Sequence, residues 1–231
     1  MFGLEEYSKE IAEQIREVLT EDSRDFHFND GIGFFEFTLD LESKDIDHLQ
    51  CIISVGLDSY TLFAIPPLKA DTRNRRMMVP LSKFLHLANY RLYNGCFQLN
   101  YKTGEIRYKI YHDCQSALPS KITILESILT AAVAMGSYAH GLTGLIFQRD
   151  MTAEEAFEDG ERKRMRAIFV NNKAQEKLAE PRASEGDEEG DNGFDAEAFL
   201  NDLKNAIAEE AANSSNNTES EGTFNMNLFD E

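Results

Sequence analysis

LSKFLHLANYRLYNGCFQLNYKTGEIRYKIYHD, residues 81–113, is the stretch whose reading decides the fold. Leu81, Phe84, Leu85, Ala88 and Leu92 recur at helical spacing and predict a helix of about three turns with one apolar stripe. Pro80 stands before them, where a missing N–H costs least, and Asn94-Gly95 offers residues that accept positive φ at the far end. The period then switches to two. Phe97, Leu99 and Tyr101 alternate with Gln98, Asn100 and Lys102; beyond Thr103-Gly104, Ile106, Tyr108 and Ile110 alternate with Arg107 and Lys109. A two-residue turn at Thr103-Gly104 predicts the pairs Tyr101 with Ile106, Leu99 with Tyr108 and Phe97 with Ile110. The opposite face would pair Asn100 with Arg107 and Gln98 with Lys109. A slip of one residue would set apolar against polar throughout, so turn and pattern agree on one face for a core and one for water.

The same arithmetic works upstream. Leu49, Cys51, Ile53, Val55 and Leu57 alternate as a strand, and a turn at Asp58-Ser59 returns the chain as Tyr60, Leu62 and Ala64. The predicted pairs are Leu57 with Tyr60, Val55 with Leu62 and Ile53 with Ala64, and Pro66-Pro67 ends the ladder because neither can donate to it. Before this hairpin lie an amphipathic helix (Leu4, Tyr7, Ile11, Ile15, Val18, Leu19), a short strand at Phe26 and Phe28, and a one-sided strand at Phe35, Phe37, Leu39 and Leu41. Residues 69–78, KADTRNRRMM, read as a basic connection. After the central stretch Ser120 caps a helix lined by Ile122, Leu125, Ile128, Leu129, Ala132 and Val133. Gly136, Gly141 and Gly144 follow it, residues 142–147 read as a strand or buried turn, and TAEE at 152–155 opens a further helix through a capping box. Hairpins with helices between them predict an α+β fold, an antiparallel sheet with helices packed on one face.

Charge divides the chain. Residues 1–166 hold 25 acidic and 19 basic side chains, whereas residues 167–231 hold 16 and 4. The expected organisation is therefore an α+β domain over residues 1–168 and a largely disordered acidic tail over 169–231, too poor in apolar residues to build its own core. Within the tail, residues 195–210 predict an amphipathic helix: Ala196, Phe199, Leu200, Leu203, Ala206 and Ile207 form a stripe, Asp195 caps it and Phe194 staples onto Phe199. A formal net charge of −18 argues against nucleic acid as main partner. Three cysteines at unrelated spacings predict reduced thiols in a cytoplasmic setting rather than a disulfide scaffold. The N-terminus has no secretory pattern, and the apolar window 122–135 is too short and too polar to span a membrane.

ANYRLYNGCFQLNYKTGEIRYKIYHDC, followed by LPS and later by TAEEA, resembles the bacterial YbjN-domain family, whose members resemble type III secretion chaperones in fold. The resemblance covers residues 34–158 and is densest over 85–120. It implies an α+β domain, often dimeric, that binds other proteins or acts in regulation. No catalytic residue is implied, because the matching positions (the helix stop, the hairpin and Pro119-Ser120) determine the fold.

The residues themselves carry little chemistry. His27, His48, His86, His112 and His140 are scattered without zinc spacing. His112 and Asp113 are neighbours on a strand and point to opposite faces, which argues against a Cys/His nucleophile with Cys114. GSYAHG is no nucleophile elbow and DGIG no dinucleotide loop. No enzyme activity, metal or cofactor is expected. Arg73, Arg75 and Arg76 with Arg107 and Lys109 are a candidate basic patch that would dock an acidic peptide, the protein's own tail among the candidates; a solvated loop and strand face is the simpler explanation of them. Phe194, Phe199, Leu200, Leu203 and Ile207 are candidate protein-binding residues. So are Leu228 and Phe229, in a closing peptide that loosely resembles the sliding-clamp motif. The expectation is a cytoplasmic, non-enzymatic protein-binding domain, chaperone-like or a regulatory adaptor, with a possible homodimer and no membrane. A small-molecule sensor or enzyme with a pocket between sheet and helices, and a replication-associated adaptor using the C-terminal peptide, are the alternatives.

Overall fold

A computed structural model describes residues 7–41 and 43–179, with side chains to residue 169. In chain order the elements are α1 (Lys9–Glu21), β1 (Phe26–Asn29), β2 (Phe34–Asp40), β3 (His48–Val55), β4 (Ser59–Ile65), α2 (Arg75–Arg91), β5 (Cys96–Leu99), β6 (Ile106–Asp113), α3 (Lys121–Ile146) and α4 (Ala153–Ala179). The six strands make one antiparallel sheet in the order β1-β2-β3-β4-β6-β5. Among the described residues the contacts divide the chain after Arg166, and the sheet and α1 to α3 belong to the first part.

One face of the sheet makes the core. Phe35, Phe37 and Leu39 on β2, Leu49 to Val55 at alternate positions on β3, Tyr60, Leu62 and Ala64 on β4, Ile106, Tyr108 and Ile110 on β6 and Phe97 on β5 are all buried. Against them lie Ile11, Ile15, Val18 and Leu19 of α1, Leu81, Phe84, Leu85 and Ala88 of α2, and α3. The fold is α+β with helices on one side of the sheet, as the periodicities predict.

Both hairpins are shifted by two residues from the registers expected above. In the downstream one, Leu99 opposes Ile106 and Phe97 opposes Tyr108, so Tyr101 leaves the strand for the loop, where it is exposed. In the upstream one, Val55 opposes Tyr60 and Ile53 opposes Leu62, and Leu57 sits 60% exposed at the turn tip. A shift of two keeps every side chain on its face, so the alternation could not detect it. Turn geometry chose. A two-residue primed turn at Thr103-Gly104 would force β-branched Thr103 to positive φ, and one at Asp58-Ser59 would force at least Asp58 there. The observed downstream loop requires positive φ at Gly104 alone, +75°. Asn100 organises that loop, its Oδ1 accepting from the N–H groups of Lys102 and Thr103 and its carbonyl from Gly104 N–H at 2.8 Å. Upstream, Gly56 N–H donates to Ser59 O at 2.8 Å, and no residue from 56 to 59 has positive φ.

Two helix boundaries also move. α2 begins at Arg75, capped by Asn74, whose Oδ1 accepts from Met77 N–H at 3.3 Å, so Pro80 lies inside the helix rather than before it. Its missing N–H deprives the Arg76 carbonyl of its helical donor. Burial of Met77 and Met78 in the same turn offsets that cost. α3 runs unbroken for 26 residues, through the glycines expected to end it and through the expected strand at 142–147. Gly141 and Gly144 serve packing, whereas Gly136 faces open space. A Cβ at Gly141 would stand 2.8 Å from the Phe84 ring, and one at Gly160 on α4 would stand 2.2 Å from the Tyr138 ring. The buried face of α3 is also rotated from the predicted stripe: Ile124, Ile128, Ala131 and Met135 are buried, whereas Ile122 is half exposed. At this length α3 is apolar enough to cross a membrane by composition, unlike the shorter window 122–135, but its apolar side chains are those of a core helix. The capping box at the start of α4 forms as read, with Thr152 N–H donating to Glu155 Oε2 at 2.8 Å and Glu155 N–H to Thr152 Oγ1 at 3.2 Å.

Candidate functional site

Every second strand residue faces away from the helices, and the ladders set these residues in rows. One row crosses all six strands: His27, Glu36, Ile52, Phe63, Lys109 and Cys96, each directly opposite the next. The row on one side of it contains Phe34, Ser54, Thr61 and Tyr111. The row on the other side contains Thr38, Gln50 and Ile65, with Arg107 opposite Gln98. Phe34, Ile52, Phe63 and Ile65 are half-buried and Tyr111 is exposed. This open face thus has an apolar centre on β3 and β4, acidic Glu36 and Asp40 on β2, and basic Arg107 and Lys109 on β6.

Arg107 is held over Phe63. Its guanidinium lies 4.3 Å from the centroid of the Phe63 ring and its Nε donates to Gln98 Oε1 at 2.8 Å, an arrangement that joins cation–π attraction to a fixed hydrogen bond. Gln98, Leu99, Asn100, Glu105 and Arg107 line an open depression at this end. The structure brings Arg107 and Lys109 together on one strand face and leaves the other three arginines elsewhere. Arg73 lies in the turn before α2, 3.8 Å from Asp71. Arg75 and Arg76 are exposed in the first turn of α2, in the helix layer.

The edge of the sheet at β5 is closed by a side chain. Asn89 of α2 accepts from Phe97 N–H at 2.7 Å and donates to Phe97 O at 3.0 Å, taking the edge-facing backbone groups of that residue from an added strand.

The helix-covered face contains a polar network that the sequence reading missed. Ser127 of α3 is buried, with its Oγ 2.9 Å from His112 Nε2, 3.0 Å from the Tyr60 hydroxyl and 2.7 Å from Thr123 O. The Tyr60 and His112 rings stack at 5.0 Å. Burial holds the His112 imidazole below its ordinary value, opposed by nearby Glu126, and pushes the Tyr60 phenol up to about 12. A serine at hydrogen-bond distance from a histidine is half of a nucleophilic pair. This serine is 1% exposed and sits between β4, β6 and α3, so as arranged it ties helix to sheet. A lone serine on an apolar helix face was the available signal.

Two other clusters join elements. Asp45, between β2 and β3, accepts from Thr143 Oγ1 at 3.0 Å and lies 3.2 Å from His140 Nδ1. Burial would raise its pKa, but Thr143, His140 and Arg149 together hold it below the ordinary value. Glu161 of α4 receives Arg164 on both oxygens at 2.8 and 3.0 Å, accepts from the Tyr138 hydroxyl and lies 3.5 Å from Arg91. Cys51, Cys96 and Cys114 are unpaired, and burial pushes the Cys51 thiol up to about 12. Among the described residues no three of His, Cys, Asp and Glu converge as metal ligands do. Phe194, Phe199, Leu200, Leu203, Ile207, Leu228 and Phe229 lie outside the described residues.

No family model, curated protein or solved structure matches this chain.

Proposed function

We propose that the chain is a non-enzymatic, cytoplasmic protein-binding domain of the YbjN type, chaperone-like or a regulatory adaptor, that engages protein through the open face of its sheet. The observation that supports this reading is the composition of that face. An apolar centre with an Arg–Phe cation–π pair, rimmed by charges of both signs, is the pattern of a protein interface rather than of a solvated sheet surface. Aromatic and arginine side chains are the groups from which binding hot spots are built. The apolar stripe of residues 194–207 in the acidic tail supplies a second element for recognition, on the strength of its sequence pattern alone.

The test compares full-length protein with I52E and F63E, each checked for a native melting transition. Proteins captured from native lysate are identified by mass spectrometry, and the purified candidates are titrated against all three forms. The reading predicts a protein that binds the unaltered chain and loses about tenfold or more of its affinity for either variant. Equal affinity for all three forms would remove function from this face.

A further inference from the structure

Resting on the reading of the open face as a protein-binding surface, we infer that its partner is an acidic segment of another protein, which sets a carboxylate on the two Nη groups of Arg107 and an apolar side chain beside it on Ile52 and Phe63.

Arg107 is already arranged as a receptor. Its plane is fixed by the Phe63 ring and its Nε is engaged by Gln98. Both Nη groups remain unused. Among the described residues neither donates a hydrogen bond, and Glu105 Oε1, 4.0 Å from Nη1, is beyond hydrogen-bond reach. The side chain is 37% exposed and lines the open depression beside β5. A planar fork that ring and amide have oriented loses little freedom when a carboxylate docks end-on through two parallel hydrogen bonds.

The charges around the fork select the sign of the ligand. Lys109, two residues along the same strand face, is half-buried and has no ion-pair partner among the described residues. Exposed Lys69 is the cross-strand partner of Glu105. Three cations therefore stand against one carboxylate at this end of the face. The other acids are distant. Glu36 and Asp40 lie on β2, three strand spacings or about 14 Å from β6, and Asp113 lies six residues or about 20 Å along β6 from Arg107. Both separations exceed the Debye length of about 8 Å at physiological salt, so these acids oppose an anion at Arg107 only weakly. The chain's net charge of −18 slows the approach of an acidic partner more than it weakens the contact.

The apolar requirement comes from the neighbours of the fork. Ile52 and Phe63 stand directly opposite one another, and Ile65 lies two residues beyond Phe63, all half-buried. Strands lie about 4.8 Å apart, so a side chain over Ile52 sits roughly 5–7 Å from a carboxylate held above Phe63. Residues i and i+2 of an extended chain, or i and i+4 of a helix, have that separation. A small free acid would leave this apolar surface in water, which assigns the carboxylate to a protein segment.

A random dodecapeptide library displayed on phage, panned on the full-length chain, tests the inference. The expected consensus pairs Asp or Glu with a large apolar residue two to four positions away. Synthetic copies of the enriched peptides are then titrated by fluorescence anisotropy against variants checked for a native melting transition. R107K, which keeps the charge and loses the fork, should weaken binding about tenfold, and K109Q about threefold. E105Q should strengthen it about threefold, because it removes the competing carboxylate. Free glutamate at about 10 mM should not displace the peptides. No enrichment, a basic consensus, or equal affinity for R107K and the unaltered chain overturns the inference, and displacement by glutamate overturns the assignment to a protein segment. The same variants in the capture assay separate the two claims. A captured protein that F63E loses and that R107K and E105Q leave unchanged overturns the acidic segment alone. Binding that I52E and F63E both leave unchanged overturns the reading of the face as well.

Discussion

The two faces of the sheet are built from the same strands and alternate residue by residue, yet they obey different rules. On the helix side Phe35, Leu62, Tyr108 and their neighbours are fully covered, and their identity is constrained by volume. On the open side Phe34, Ile52, Phe63 and Ile65 are half-buried among charges, and what is ordered is the distribution of sign across the strands. A packed face tolerates no void, whereas an open face can be rearranged without unfolding the domain. The contrast teaches where to look for function: in the face whose residues the fold does not require.

Truncations should therefore divide by face. Phe35→Ala is expected to cost about 3–5 kcal/mol in urea unfolding, because it empties a covered site. Phe63→Ala should cost less than about 1 kcal/mol in dilute protein while impairing association. Comparable costs at the two positions would break the contrast. Asn89→Ala comes next, at about 1–3 kcal/mol, since it strips both partners from the Phe97 backbone and reopens the β5 edge. A rise in concentration-dependent aggregation should accompany the loss of stability.

The helix-covered face also carries a pH dependence. His112 is held below its ordinary value by burial, so it is neutral in the folded state where the unfolded chain begins to bind a proton. Stability is then fully present above about pH 6.5, the unfolded value, and declines as pH falls from there toward the lower folded value. The carboxylates of Asp45 and Glu161, held low in the folded state, remove stability only as pH falls further, below about 4.5. Unfolding midpoints measured from pH 7.5 to 5 should fall for the unaltered chain, and His112→Phe should flatten that slope while keeping the stack on Tyr60. An unchanged slope would place the dependence elsewhere. The smallest effect is expected at Leu57→Ser, within about 0.5 kcal/mol, because Leu57 is an exposed turn tip. A cost above about 2 kcal/mol would mean that Leu57 is packed as the alternation implied, and that the observed register is wrong.

Much of this architecture was legible in the residues. Alternation assigned the strand residues to their faces, the Ser120 cap and the TAEE box marked helix starts, and the polar partners of the hairpins showed which face stays open. Three features were not legible. A period of two cannot see a shift of two, so both registers were left to turn strain at Thr103-Gly104 and Asp58-Ser59, which the alternation does not report. Gly141 and Gly144 look like stops in a string of letters and act as contact points in space, because whether a glycine ends a helix depends on what lies against it. Ser127 meets His112 and Tyr60 across sequence separations of 15 and 67 residues, distances over which no local pattern runs.

By itself the sequence determined the α+β class, the inward and outward assignment of each strand and the change of composition at the tail, since each depends on local periodicity and on charge. Only the tertiary structure decided which residues stand opposite one another. That choice created the row from His27 to Cys96, with acid and base balanced about an apolar midline, because cross-strand neighbours are set by turn strain and core packing summed over the whole sheet.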